Sequence, residues 1–183
     1  NYIIMTIWNI DPTHSEIQFK VKHLVISTVT GNFKSFNGSL ETEGDSFEGA
    51  TVKFEADIDS ITTNNEDRDG HLKSDDFFNA EEFPKLKFES TSFKNTDGNN
   101  YELKGNLTIR DITKEITLDV VHGGTVDDPY GQTKAGFEIN GDINRKEFGL
   151  KWSAVTEAGS VVVAEQVKLN LNVQVVESVP AEA

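Results

Sequence analysis

Residues 65–76, Asn65-Glu66-Asp67-Arg68-Asp69-Gly70-His71-Leu72-Lys73-Ser74-Asp75-Asp76, hold the densest set of reactive side chains in this chain. Oxygen side chains stand at positions one, three and five, glycine at six, an aliphatic residue at eight and a carboxylate at twelve, which imitates a calcium-binding EF-hand loop. The surroundings do not suit one. Ala56 to Thr62 reads as strand where an entering helix is needed, and Asp76 stands in place of the bidentate glutamate. The expectation is a structural loop, and no metal site is assigned.

The histidines His14, His23, His71 and His122 offer no pair at metal-ligand spacing on one element. His23 continues the apolar face of Ile17, Phe19 and Val21 and should point inward, either as a satisfied interior histidine or against a ligand. His71 lies near Asp69 and Asp76, and His23 or His71 could serve as acid or base for an enzyme acting on a hydrophobic small molecule. His122 closes a strand and suggests no role. The chain has no cysteine, so thiol nucleophiles, thiolate metal sites and disulfides are excluded. Nucleophile elbows, phosphate loops and dinucleotide fingerprints are absent from the sequence. No catalytic residue and no cofactor is assigned.

Only three arginines occur, Arg68, Arg110 and Arg145, each close to an acid: Asp69, Asp111 and Glu147. Surface ion pairing is their ordinary role. A guanidinium fork also suits a polar headgroup or pyrophosphate at the opening of a cavity, and Arg68, His71 and Arg145 are the candidate headgroup contacts.

Composition narrows the partners. With 17 basic and 31 acidic residues the net charge is -14, which argues against nucleic acid and disfavours anionic membrane surfaces. No apolar run is long enough for a transmembrane helix. If Met5 is the native start, residues 1–4 are vector-derived and the protein is expected in the cytoplasm; if a signal peptide has been removed, a periplasmic or extracellular location follows.

The elements that must position these groups are strands. From Val161 to Val175 apolar residues alternate with Gln166, Lys168, Asn170, Asn172 and Gln174, a period of two that marks one dry and one wet face. Similar segments, bounded by Gly, Asn, Asp and Pro, fall near 6–10, 15–25, 28–42, 48–59, 85–94, 101–110, 114–122, 133–143 and 160–176. Turn residues at Gly44-Asp45, Asp97 to Asn100, Asp111 and Asp127 to Gly131 predict antiparallel hairpins. Phe33 and Phe36 break the alternation of the third segment, which predicts a bulge or bend. Around 64–80 the alternation lapses, and Leu72, Phe77, Phe78 and Phe83 predict a short helical excursion that Pro84 ends.

One all-β domain over residues 6–176 is expected, with 1–5 and 177–183 as tails. Its architecture is an antiparallel barrel of about eight strands. Strand parity selects Phe19, Val21, His23, Phe33, Val52, Phe54, Leu107, Phe137, Ile139 and Leu169 as the inward-facing, ligand-binding wall, with Ala50, Ala56 and Gly105 leaving room.

Three segments together carry a resemblance: Asp11-Pro12-Thr13-His14-Ser15 running into Phe19 to Leu24; Asp69 to Ser74 with Asp76-Phe77-Phe78 and Phe83-Pro84; and Gly105 to Lys114. Ile143 to Gly149 and Glu165-Gln166-Val167 extend it, so that it covers about Thr6 to Val176. The chain resembles the YceI-like family. That resemblance implies a bacterial, lipocalin-like extended antiparallel barrel, often homodimeric, whose apolar cavity binds or transports a polyisoprenoid, such as an isoprenoid quinone or prenyl pyrophosphate, or another long-chain lipid. Asp111 stands where the family usually has glycine.

A non-catalytic carrier of a long-chain amphiphile is therefore the leading expectation. The His/carboxylate enzyme is the alternative, and a dimerising barrel without ligand is a third reading.

Overall fold

The computed structural model describes residues 2–155 and 162–178. Eleven strands form one antiparallel sheet: β1 (Met5–Ile10), β2 (Glu16–His23), β3 (Ser27–Phe33), β4 (Phe36–Glu43), β5 (Thr51–Asp57), β6 (Ile61–Thr62), β7 (Lys85–Asp97), β8 (Asn100–Ile109), β9 (Ile112–Asp127), β10 (Thr133–Asn144) and β11 (Val163–Ser178). The spatial order β1-β4-β5-β7-β8-β9-β10-β11 closes on itself because β11 also pairs with β1. This is the expected eight-stranded barrel. Beyond it, β2, β3 and β6 continue from the lower half of β11 as a flared extension. Among the described residues no helix is long and apolar enough to cross a membrane.

The flare arises because β1 and β2 share one partner. Ile10 sits opposite Val175 on β11, whereas Ile17 sits opposite Leu171. The chain steps from one register to the other through Asp11-Pro12-Thr13-His14-Ser15. Pro12 cannot donate to a ladder, and the Asp11 carboxylate gathers the Thr13 amide at 3.0 Å, the Thr13 hydroxyl at 2.7 Å and His14 Nδ1 at 2.8 Å. Ser15 then donates its hydroxyl toward the Gln174 carbonyl and accepts from the Gln174 amide at 3.0 Å. The Thr13 hydroxyl and His14 beside it hold the Asp11 carboxyl down at about 2, well below its ordinary range.

Several segment limits differ from the sequence reading. The predicted bulge in 28–42 is a division into β3 and β4, which pair with different neighbours; Lys34 and Ser35 turn the chain between them. Strand 48–59 ends at Asp57, and a 3-10 turn at Ile58–Ser60 precedes β6. β9 runs to Asp127, and β11 pairs as far as Ser178 with Ile7, so Glu177 belongs to the sheet. Asn1, Val161 and residues 179–183 lie outside the described residues.

The short helical excursion expected around 64–80 is α1 (Glu66–Lys73), which takes in most of the EF-hand-like stretch 65–76. Asn65 caps it by accepting from the Arg68 amide at 3.0 Å, and acidic residues fill its first turn. Helical turns of about 100° per residue point the side chains of Asp67 and Asp69 in different directions, and among the described residues no three His, Asp or Glu side chains come together as a metal-ligand group. Positive φ at the β8–β9 turn falls on Arg110, at 55°, and not on Asp111.

Candidate functional site: a cavity with one sealed and one open end

The inward parity of the barrel strands leaves an apolar cavity of about 350 Å³. Two glycines keep it open. A Cβ on Gly105 would lie 2.4 Å from the Phe88 ring, and one on Gly31 would lie 2.2 Å from the Phe19 ring. Each ring therefore lies flat in a notch in the neighbouring strand instead of standing into the lumen. A register shift between β9 and β10 at Gly136/Phe137 places His122 opposite Phe137 and Thr125 opposite Ala135, so both β9 side chains sit at the barrel end.

That end is closed by aromatic rings. Phe47, from the loop between β4 and β5, packs 5.4 Å from Trp8, 4.9 Å from His122 and 5.1 Å from Phe137. Phe93 and Tyr101 complete the layer, stacked at 4.9 Å. Trp8, Phe47, Phe93 and Phe137 are all buried. His122 stacks on Phe137 and reaches Thr125 Oγ1 at 3.0 Å through Nε2. Among the described residues the buried Trp8 Nε1–H finds no acceptor, and the indole is held by its ring contacts.

The opposite end is half-buried and holds the reactive side chains. His71 at the end of α1 meets Asp76 Oδ2 at 2.8 Å through Nε2, and its ring stands edge-on to Phe77 and Trp152, each at 5.0 Å. Three arginines assemble this rim. Arg68 donates from Nε to the Thr63 hydroxyl and from Nη2 to the Thr63 carbonyl, both at 2.7 Å, while Asp69 accepts from the Thr63 amide and hydroxyl. Helix α1 is thereby tied to the end of β6. Arg110 donates to the Asp75 and Phe77 carbonyls and to the Asp75 carboxylate, each at 2.9 Å, holding the segment that carries Asp76 and Phe77.

Arg145 follows β10 in a 3-10 turn and is buried. Its guanidinium donates to the carbonyls of Ala164 at 2.8 Å, Leu150 at 2.6 Å, Trp152 at 2.8 Å and Val163 at 3.2 Å. Burial pushes its pKa below the usual arginine value, yet an arginine keeps its charge in a protein. No carboxylate touches that charge among the described residues. The open end therefore has a fixed positive centre in its wall, 5.9 Å from the Phe77 ring.

All the inward candidates named from parity, Phe19, Val21, His23, Phe33, Val52, Phe54, Leu107, Phe137, Ile139 and Leu169, stand on this cavity wall, and Arg68, His71 and Arg145 stand at its open end. The surface ion pairs expected of the arginines do not form with their sequence neighbours. Arg110 pairs with Asp75, not Asp111, Arg68 binds Thr63, and Arg145 is buried among carbonyls. Sequence reasoning missed Trp8, Phe47, Phe77 and Trp152. Phe77 falls in the helical excursion and Phe47 and Trp152 in loops, where alternation gives no direction, whereas Trp8 stands within β1, where strand parity could have found it.

A closed antiparallel barrel with an apolar cavity, capped at one end and rimmed by polar groups at the other, defines a lipocalin-like barrel protein. The YceI-like domain model matches residues 8–175, and the chain belongs to the YceI-like family. It is 39% identical over 173 residues to the UPF0312 protein SERP2314 of Staphylococcus epidermidis, covering 93% of this chain and 97% of that one. The crystal structure of the Campylobacter jejuni YCEI protein superposes with a TM-score of 0.75 at 33% identity, covering 86% of this chain and 90% of that one. A polyisoprenoid binding domain from Saccharophagus degradans shares the fold, with a TM-score of 0.64 at 15% identity over 95% and 98% of the two chains.

Proposed function

We propose that this protein binds and carries, without chemical conversion, a long-chain amphiphile of the polyisoprenoid kind. The observation that carries the reading is the cavity of about 350 Å³, walled by side chains that glycine notches hold back from the lumen. Burial of each methylene contributes about 0.8 kcal/mol before ordering costs, so an aliphatic chain supplies the affinity. The Arg145 charge at the open end favours a polar or anionic headgroup there over one at the aromatic seal. The Saccharophagus domain described as polyisoprenoid binding supports the same ligand class. Solvent extraction of the purified protein followed by mass spectrometry tests this. One lipid chain per barrel is the expected result; a lipid-free protein that also fails to take up a fluorescent prenyl probe sinks it.

One contact favours a second reading. His71 and Asp76 meet within hydrogen-bond distance at the cavity rim, the arrangement an acid-base enzyme would use. Incubation of the loaded protein with water and mass analysis of the lipid separates the two readings. A carrier returns its ligand unchanged, whereas an enzyme yields a product that His71→Gln abolishes.

A further inference from the structure

The β2–β3 hairpin ends at the open mouth of the cavity. His23, on β2, lines the mouth, and the closing pair is His23 with Ser27, whose hydroxyl donates to the His23 carbonyl at 3.1 Å. Between them lie Leu24, Val25 and Ile26. Val25 is 73% and Ile26 86% exposed, so two branched aliphatic side chains stand in water beside an apolar opening. The backbone is also unusual. Leu24 and Val25 have φ of 53° and 66°, a left-handed conformation that glycine and asparagine adopt readily and a β-branched residue does not. A tip selected for turn geometry alone would carry glycine or asparagine here.

The charge around the tip departs from that of the molecule. From Ile17 to Leu40 the chain has no acidic residue and carries Lys20, Lys22 and Lys34, in a protein with 31 acidic residues among 183. Lys20 and Lys22 are exposed on the outer face of β2, and Lys168 on β11 stands opposite Lys20. Of the acids on neighbouring strands, Asp142 lies opposite Lys168, and Glu165 is paired with Lys146 at 3.1 Å. Lys20, Lys22 and Lys168 form no ion pair among the described residues.

We propose that the Leu24-Val25-Ile26 tip is a bilayer-docking wedge at the cavity mouth. The partner is the surface of an anionic lipid bilayer. Val25 and Ile26 enter the boundary between headgroups and acyl chains, and Lys20 and Lys22 lie at headgroup level, where each basic side chain adds to the attraction. The inference rests on the lipid-carriage reading and extends it: docking by this edge sets the open mouth against the membrane, so a chain can pass between bilayer and barrel without crossing water. The net charge of -14 opposes approach of the molecule as a whole to an anionic surface, so docking depends on this locally basic, apolar-tipped edge.

Flotation of the purified protein with vesicles of phosphatidylcholine and phosphatidylglycerol, at about 3:1, tests the proposal. The wild type is expected to float with these vesicles and roughly tenfold less with pure phosphatidylcholine or in high salt, where surface attraction is screened. Val25→Asp with Ile26→Asp should abolish flotation. Val25→Gly removes the wedge side chain while relieving the left-handed strain, so it should dock less although its melting temperature is unchanged or raised. Wild type that does not float, or an aspartate double variant that floats like wild type, overturns the proposal. A wild type that does not float but shows a dimer on sedimentation, which the double variant dissociates, assigns the tip to a second copy and also overturns it. Lipid in the solvent extract without flotation removes the docking and leaves carriage standing; flotation lost in the double variant supports docking whatever the extract contains.

Discussion

The two ends of the barrel are built from opposite materials. At the sealed end Phe47 drops from a loop onto Trp8, His122 and Phe137, and the layer is held by ring contacts. At the open end Arg68, Arg110 and Arg145 bind carbonyls and hydroxyls of segments with no regular ladder. Ring packing excludes water without needing direction, which suits a stopper. A guanidinium satisfies several carbonyls at once in fixed geometry, which suits an irregular rim that must stay shaped while half-exposed. The scarce arginines thus act as fasteners, and Phe47, an aromatic carried by the β4–β5 loop, is the plug.

The largest effect expected from breaking this contrast is at Arg145. Arg145→Met strips four carbonyls of their donor, and at about 1–3 kcal/mol for each group left buried and unpaired, partly offset by water entry, a loss of about 4 kcal/mol follows. Urea denaturation would show it as a lower midpoint. Phe47→Ala should cost about 3 kcal/mol by leaving a cavity in the seal. It should also speed release of a bound prenyl probe, whereas Trp8→Phe, which deletes an unpartnered donor, should stay within about 1 kcal/mol of wild type. Equal losses from Phe47→Ala and Trp8→Phe would refute the ring-packed seal.

Gly105→Ala sharpens the comparison from the middle of the tunnel. The new Cβ would lie 2.4 Å from the Phe88 ring and 2.5 Å from the Glu89 carbonyl oxygen, so it drives the ring inward and shifts the β7–β8 ladder at a cost of about 1–3 kcal/mol, and both the melting temperature and the lipid recovered by extraction should fall. The smallest effect concerns the joint where the flared end leaves the barrel. Because the folded Asp11 pKa of about 2 lies below the ordinary 3.8, its stabilisation is complete above the unfolded value and disappears as pH falls through the folded one. Asp11→Asn should therefore cost about 1 kcal/mol at pH near 5, a difference that shrinks as pH falls below about 4 and vanishes only below the folded pKa of about 2, as read by urea midpoints across that window.

The wall of the cavity was legible because strand parity is local. Phe19 and Val21 on β2, or Phe137 and Ile139 on β10, follow from a period of two, and the register irregularity opposite Phe137 falls on the β9 side, where it does not disturb the β10 alternation. The division of 28–42 was not legible, since Phe33 and Phe36 differ only in which partner strands they meet. The short helix at Glu66–Lys73 was legible as a lapse in the alternation, although its limits and its fastening were not. It has almost no apolar face, being fastened by Asn65, Arg68 and Asp69 rather than by burial.

What the amino-acid order determined by itself was alternation: many half-buried strands, the turns joining them, and hence a barrel with an inside face of known composition. Which side chains close one end and which rim the other was decided only by tertiary structure. Phe47 meets His122 and Phe137, and Arg145 meets Val163 and Ala164, across separations in sequence that no local period spans. Periodicity reports how a residue faces its own strand's neighbours; contact between distant loops depends on strand register and closure, which exist only once the sheet has curved onto itself.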